Sequence, residues 1–395
     1  MTAHVYFDNN ATTPVDAGVL DAMLPYFSTE FGNASSIHSF GQRTRGAVER
    51  ARAQVAALLG AQPAEITFSG GGTESDNLAI LGIAGAVTGE RKHVITTNIE
   101  HSAVKNPCEA LQERGVEVTF LPVNSAGVID PEDVRRALRP ETILISIMHA
   151  NNEIGTIQPI AEIGRIAAEA DVWFHTDAVQ SAGKVPINVD HLGVDLLSIS
   201  AHKIYGPKGV GALYVRRGTR LEPILFGGHH ERDRRPGTEN VAGIVGLGKA
   251  AELALQSLQE ESQRVSKLRD RFERGVVQTV PQAHVNGAPS PRVPNTASIT
   301  FPHVEGEALV IALDLRGLAC STGAACSSGA IAPSRVLTAI GLSHGDARAS
   351  LRFSLGRHTT EADVDRALSV VPAAVEQLRQ LSPEYKKSAA LQPTA

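Results

Sequence analysis

The chain has 395 residues, 42% hydrophobic and 20% charged, with 36 Gly and 21 Pro; this suits a soluble globular protein of one large and one smaller domain. A net charge of -5 gives no general reason to bind nucleic acid, and Arg232, Arg234 and Arg235 are too local to change that, so a small-molecule substrate is expected. Cys108, Cys320 and Cys326 form neither an even set nor paired zinc-type spacing, residues 1–13 carry no basic-then-apolar leader, and no apolar run reads as bilayer-spanning; the expected address is the cytoplasm, with no membrane partner.

In chain order, Val5-Tyr6-Phe7 leads into the polar loop Asp8-Asn9-Asn10-Ala11-Thr12-Thr13-Pro14. Between Gly41 and Leu59, residues Val48, Ala51, Val55 and Leu58 fall at helical spacing, and Gly60 is placed to end that helix. An alternation follows. Strands are expected at 65–69, 93–97, 116–121, 142–148, 172–174, a run ending at Ser200, and 210–215, with helices through Ala86, after Ser102, and over 131–138 and 160–170. Strands alternating with helices predict an α/β domain with a mainly parallel sheet. Residues 227–240 read as a solvated surface loop, 241–277 as a long helix or helix pair connecting domains, and 280–294 as a linker. The remainder reads as a compact α+β unit: strand 296–301, helix 305–316, strand 318–320, helix 334–340, strand 350–354 and helix 361–381. The expected division is a large domain over 15–260, a small one from 1–14 with 261–381, and a loosely held tail over 382–395.

The run Asp195 to Ser200 reads as a buried strand, and Gly206-Pro207 stops a helix from following, so Ser200, His202 and Lys203 sit at a strand exit. A partly desolvated amine there can act as a Schiff-base nucleophile. Gly70-Gly71-Gly72-Thr73 opens a helix, where bare backbone N–H groups favour an anion such as phosphate; the run matches neither a Walker loop nor a dinucleotide fingerprint. Ligands of parallel sheets bind outside the carboxyl ends of the strands. Five such exits carry Gly72 with Thr73, His101, Asn152, Asp177 with Gln180, and Ser200 with His202 and Lys203. Each alone has a plain reading as a cap, a turn or a salt-bridge partner. Together a phosphate cradle, a carboxylate and a lysine form the set that a pyridoxal phosphate enzyme needs. Around Cys326, the run Ser321 to Ala330 consists largely of small residues, which fits either a thiol that must travel or a buried small-residue turn.

The motifs Tyr6-Phe7-Asp8-Asn9-Asn10-Ala11-Thr12-Thr13, Gly72-Thr73-Glu74-Ser75-Asp76-Asn77, Met148-His149-Ala150-Asn151-Asn152-Glu153-Ile154-Gly155, Ser200-Ala201-His202-Lys203-Ile204-Tyr205-Gly206-Pro207-Lys208-Gly209 and Arg352-Phe353-Ser354-Leu355-Gly356-Arg357, in that order, resemble the NifS/IscS-type cysteine desulfurases. These are fold-type I pyridoxal 5'-phosphate enzymes, and Arg235-Pro236-Gly237-Thr238-Glu239-Asn240 leans toward the NifS side. The resemblance implies that Lys203 binds the cofactor covalently, Asp177 partners the pyridine nitrogen, His101 stacks on the ring and is a candidate proton shuttle, and Asn152 and Gln180 neighbour the phenolic oxygen. It implies that Gly72, Thr73, Ser200 and His202 form the phosphate site, that Thr238 joins it from the other subunit of a homodimer, that Arg352 with Asn152 receives the substrate, and that Cys326 accepts the sulfur. L-cysteine would then become L-alanine, with persulfide passed to acceptor proteins such as an iron-sulfur scaffold and no metal required. A selenocysteine lyase, an aminotransferase and a non-catalytic sulfur-transfer scaffold are the alternatives. Three departures stand out: Gly70 and Ala324 replace the Ser usual in relatives, and Ala332 replaces an acidic residue. The first would loosen the phosphate cradle, and the other two touch the Cys326 loop and its partners.

Overall fold

The computed structural model describes residues 4–89, 91–323, 333–381 and 385; Ala324, Cys326, Ala332 and all but Tyr385 of the 382–395 tail lie outside them. The larger sheet has seven strands in the order Ile66–Ser69, Gly211–Val215, Leu196–Ser200, Trp173–Asp177, Thr142–Ser146, His93–Thr97, Glu117–Leu121. The last five are mutually parallel, whereas Gly211–Val215 runs antiparallel to both neighbours. Ile66–Ser69 therefore points the same way as Leu196–Ser200. Ser69 and Ser200 both pair with Gly211, which brings the ends of these two strands to one edge.

Helices cover both faces, which is why the central strands are buried almost along their whole length. One face packs Val48, Val55 and Leu59 of helix Ser39–Leu59 and Ile163 of helix Ile160–Glu169 against Ile145, Phe174 and Leu197. The other packs Leu78 and Ile83 of helix Gly72–Ala86 and Val104 of helix Ser102–Glu113 against Val94, Leu144 and Leu196. Gly60 ends Ser39–Leu59 at φ +67, a left-handed cap that costs glycine little.

A separate core gathers Val5 and Phe7 with Leu268, Phe272, Ile299, Phe353 and Val371. Its four-stranded antiparallel sheet runs Ser321–Thr322, Ser350–Ser354, Thr296–Thr300, His284–Val285, and Val5–Tyr6 pairs in parallel with Leu318–Ala319.

Several expectations change. Helix Val241–Thr279 is a single element of 39 residues, neither a pair nor ended at 277. By length and composition it is apolar enough to cross a membrane, contrary to the sequence reading, but half of its apolar window is buried inside the protein. Residues 280–294 are not all linker, because His284–Val285 pairs with Ile299 and Thr300. The 227–240 stretch is not simply a solvated excursion either. Glu231 is buried against Arg52, whose Nη1 and Nη2 donate to its two carboxylate oxygens at 2.8 Å each, and Phe68 N–H donates to it at 2.8 Å. Helices Ala17–Met23 and Pro25–Ser28 were not foreseen.

Candidate active site

Leu196–Ser200 ends in a tight turn, Ala201–Lys203, that projects Lys203 at the sheet edge. The N-terminal loop folds over it: Thr13 N–H donates to the His202 carbonyl at 3.0 Å, and Lys203 Nζ donates to the carbonyls of Asn10 and Ala11. Asp177 is the last residue of its strand, is buried, and accepts Val179 N–H at 2.8 Å. Burial pushes its carboxyl up, against the pull of His101 and Lys203.

The opposite end of the site is built from backbone. Helix Gly72–Ala86 begins with no side-chain cap, so its first N–H groups remain available to an anion. A Cβ on Gly72 would meet Val179 Cγ2 at 2.7 Å, so any larger residue there would force Val179 to shift. Gly70 N–H is taken by Glu74 Oε2 at 2.8 Å, and Glu74 also accepts from Arg235 Nε at 2.9 Å, so a carboxylate ties the loop where a Ser was expected. His202 shares a hydrogen bond with Thr12 Oγ1 at 3.2 Å, and burial, helped by Lys203, pushes its imidazole down to about 4, leaving it neutral.

Across the cavity, Arg352 is buried; its guanidinium donates to Asp8 Oδ1 at 2.9 Å and to the Asn152 carbonyl at 3.1 Å, and its Nε has no hydrogen-bond partner among the described residues. A buried guanidinium that lines a cavity suits a carboxylate ligand. His101 caps its helix through Nδ1, which accepts Ala103 N–H at 3.1 Å, so the plain reading holds for one ring nitrogen while the ring also lines the site.

One cavity of about 320 Å³ brings together Gly72, Thr73, His101, Asn152, Asp177, Gln180, Ser200, His202, Lys203 and Arg352, a size within the range of small-molecule sites. Thr238 is exposed and does not line it. Cys326 lies outside the described residues. The other two cysteines are free and buried, and burial pushes the Cys108 thiol up to about 12 and raises that of Cys320 too, so neither is an activated thiolate.

The profile of the class-V aminotransferase family matches residues 5–367. A cysteine desulfurase IscS of Dictyoglomus turgidum is 52% identical over 98% of this chain and 98% of its own length, and one of Methanosarcina thermophila is 53% identical over 96% and 94%. The chain belongs to the cysteine desulfurases. Among solved structures, a NifS-like protein superposes with a TM-score of 0.88 at 38% identity over 95% of this chain and all of that one. SspA in complex with cysteine gives 0.80 at 40% identity, over 90% of this chain and all of that one. Cysteine desulfurases are pyridoxal phosphate enzymes, and an uncapped helix start, a buried carboxylate and a lysine around one cavity fit that group.

The desulfurase site contains residues to which the sequence assigned no role. Asp76 is fully buried in the same cavity wall, 3.5 Å from His175 Nε2, with an Oδ1 that has no hydrogen-bond partner among the described residues; burial and the neighbouring Asp177 hold its carboxyl well above the usual range. It lies four residues after Gly72 and so shares that face of the helix, a signal present in the sequence. Glu100 is buried nearby and is pushed up to about 8. Asp8 holds Arg352, and Lys184 holds Gln180; neither pairing is visible from spacing alone.

Proposed function

We propose that the cavity binds pyridoxal 5'-phosphate and L-cysteine and produces L-alanine, leaving the sulfur as a persulfide on Cys326. The observation that carries this reading is the convergence of Lys203, Asp177 and the buried Arg352 on one cavity that ends at an uncapped helix N-terminus. When bound, the cofactor supplies an electron sink for the substrate's α-carbon. Gly72, Thr73, Ser200 and His202 hold the phosphate, His202 as a neutral donor or acceptor. Asp177 would hold a proton at the pyridine nitrogen, and His101, on the same cavity, would stack on the ring. Arg352, fixed by Asp8, binds the substrate carboxylate beside Asn152. Lys203 would attach the cofactor, and its free amine would move the substrate's α-proton. The thiolate of Cys326 attacks the substrate sulfur: an S–S bond forms, the C–S bond breaks with its electron pair left on carbon, and protonation there completes the methyl group of alanine.

The reading includes a homodimer in which Thr238 reaches the partner's phosphate site. Large exposed apolar side chains, Ile37 at 94% and Phe226 at 90% exposure among them, support an interface of that kind. Delivery of sulfur to an iron-sulfur scaffold protein and a cytoplasmic location rest on the sequence resemblance and the three-cysteine composition. The test is borohydride reduction of the yellow protein followed by peptide mapping. The label belongs on Lys203 and disappears in Lys203→Ala; a label on Lys208 or Lys184 refutes the assignment. Alanine release without accumulation of pyridoxamine phosphate separates desulfuration from transamination.

A further inference from the structure

The chemistry above leaves one interior lysine unused. Lys184 follows Gln180 by four residues, and its Nζ points inward, donating to Gln180 Oε1 at 2.9 Å and to Asn10 Oδ1 at 3.4 Å. It lines a second cavity, with Glu261 and Arg357, that shares only Lys203 with the first. An ammonium can only donate, so the bond to Lys184 commits the oxygen of the Gln180 amide. The amide nitrogen gives one N–H to the Asn10 carbonyl at 3.0 Å, the same carbonyl that receives Lys203 Nζ. Its second N–H is left for the cavity that Gln180 lines. The Asn10 carbonyl, which can only accept, and Lys184 thus hold the same orientation of the amide, one at its nitrogen and the other at its oxygen.

We propose that Lys184 is a positioning residue of the active site: its ammonium fixes the Gln180 amide with an N–H toward the cofactor, and its charge opposes a second ammonium at Lys203. This rests on the proposed cofactor site. Burial pushes Lys184 down to about 7, with Lys203 and then Arg352 adding to the fall and Glu261 resisting it, so its charge bears on Lys203 at neutral pH and below. Coulomb coupling is mutual, so a charge on either lysine disfavours one on the other. Glu261 is already engaged by Arg357 Nε at 2.7 Å; the carboxylates facing Lys203 are Asp8, which Arg352 holds at 2.9 Å, and Asp177, and the His202 imidazole that faces both lysines is kept neutral by burial. A neighbouring cation is one way a lysine is kept in the proton-poor form that a nucleophile and base require.

The experiment is a pH titration of the absorbance of the cofactor-loaded protein, with cofactor affinity measured alongside, in wild type, Lys184→Met and Lys184→Arg. Loss of the charge and of the oriented N–H both favour protonation beside Lys203, so Lys184→Met should raise the midpoint by about one pH unit or more and weaken cofactor binding. Lys184→Arg keeps donors and carries a permanent charge; it should restore affinity and place the midpoint below wild type. Equal midpoints in all three proteins overturn the inference. Should Lys184→Met fail to fold, Lys184→Arg decides alone: a midpoint below wild type supports the role, and one at or above wild type ends it. Lys203→Ala, run in parallel, separates the two levels, because a titrating absorbance that survives in that variant defeats the cofactor assignment itself, whatever Lys184 does.

Discussion

The ion pair between Arg52 and Glu231 ties the 227–240 stretch to the sheet, and removing one partner should be among the costlier single changes in the chain. Both side chains are nearly sealed, at 6% and 5% exposure, the Arg52 guanidinium lies 4.7 Å over the Phe68 ring, and its Nη1 also donates to the Ile66 carbonyl at 2.9 Å. Breaking a buried pair by deleting one charge costs about 3–5 kcal/mol. In Glu231→Leu the Phe68 N–H also loses its acceptor, worth about 1–3 kcal/mol and not simply additive. Against this, Glu231, Arg232 and Asp233 occupy the left-handed region at φ +46, +58 and +64; release of that strain returns about 1–3 kcal/mol per residue relaxed. With partial relaxation the net loss is about 3 kcal/mol, roughly a hundredfold or more in the folding equilibrium. Equilibrium unfolding in urea of Glu231→Leu, Arg52→Met and the double variant forms the appropriate cycle. The double variant should lose well under the sum of the two single losses, and limited proteolysis should cut within 227–240 only when the pair is broken. Single losses below about 1 kcal/mol with no coupling would mean that the pair behaves as an exposed one does, and that something else holds the loop.

Asp177→Asn should retain cofactor but lower kcat by about 10²–10³-fold, the scale of losing one electrostatic stabiliser in a dry site; rates near wild type refute the pyridine partner. Cys326→Ala should bind L-cysteine and release almost no alanine, while Cys108→Ala and Cys320→Ala keep turnover and lose about 1 kcal/mol of stability each; a dead Cys320→Ala beside an active Cys326→Ala reverses the assignment. Glu100 has a folded value of about 8 against an ordinary 4.5, so the folded state holds a proton the unfolded state has released. Its contribution is complete below pH 4.5 and is lost as pH rises to 8. Unfolding free energies of wild type should therefore fall between pH 5.5 and 8.5 more steeply than those of Glu100→Gln, and parallel curves dispose of the effect.

The gathering of Thr73, His101, Asn152, Asp177 and Lys203 was legible because parallel strands joined by helices all exit on one side. What was not legible is why Gly72 and Thr73 belong to that set. Fully buried strands have no polar face to reveal their direction, and only the reversed strand Gly211–Val215 turns Ile66–Ser69 the right way. The 227–240 stretch misled for a different reason: its polar composition is real, but the partner of Glu231 lies 179 positions away. Likewise, a two-residue strand such as His284–Val285 is too short for any periodicity, and its neighbour Asn286 is held by Ser298 and Thr300 from a strand downstream. Asp76 could have been placed from its spacing to Gly72; the bond from Lys184 to Gln180 could not, since it depends on a turn rather than a helix.

Helix Val241–Thr279 enters one core through Ile244, Leu247 and Ala251 and the other through Leu268, Phe272 and Val276. At 1.5 Å per residue its 39 residues make a strut about 58 Å long. A hinge through its middle would have to break consecutive backbone hydrogen bonds, so the two cores ride on a common axle and swing against each other only as far as the helix flexes. Any wholesale opening of one core against the other would therefore have to bend or break this strut, at the cost of its backbone hydrogen bonds.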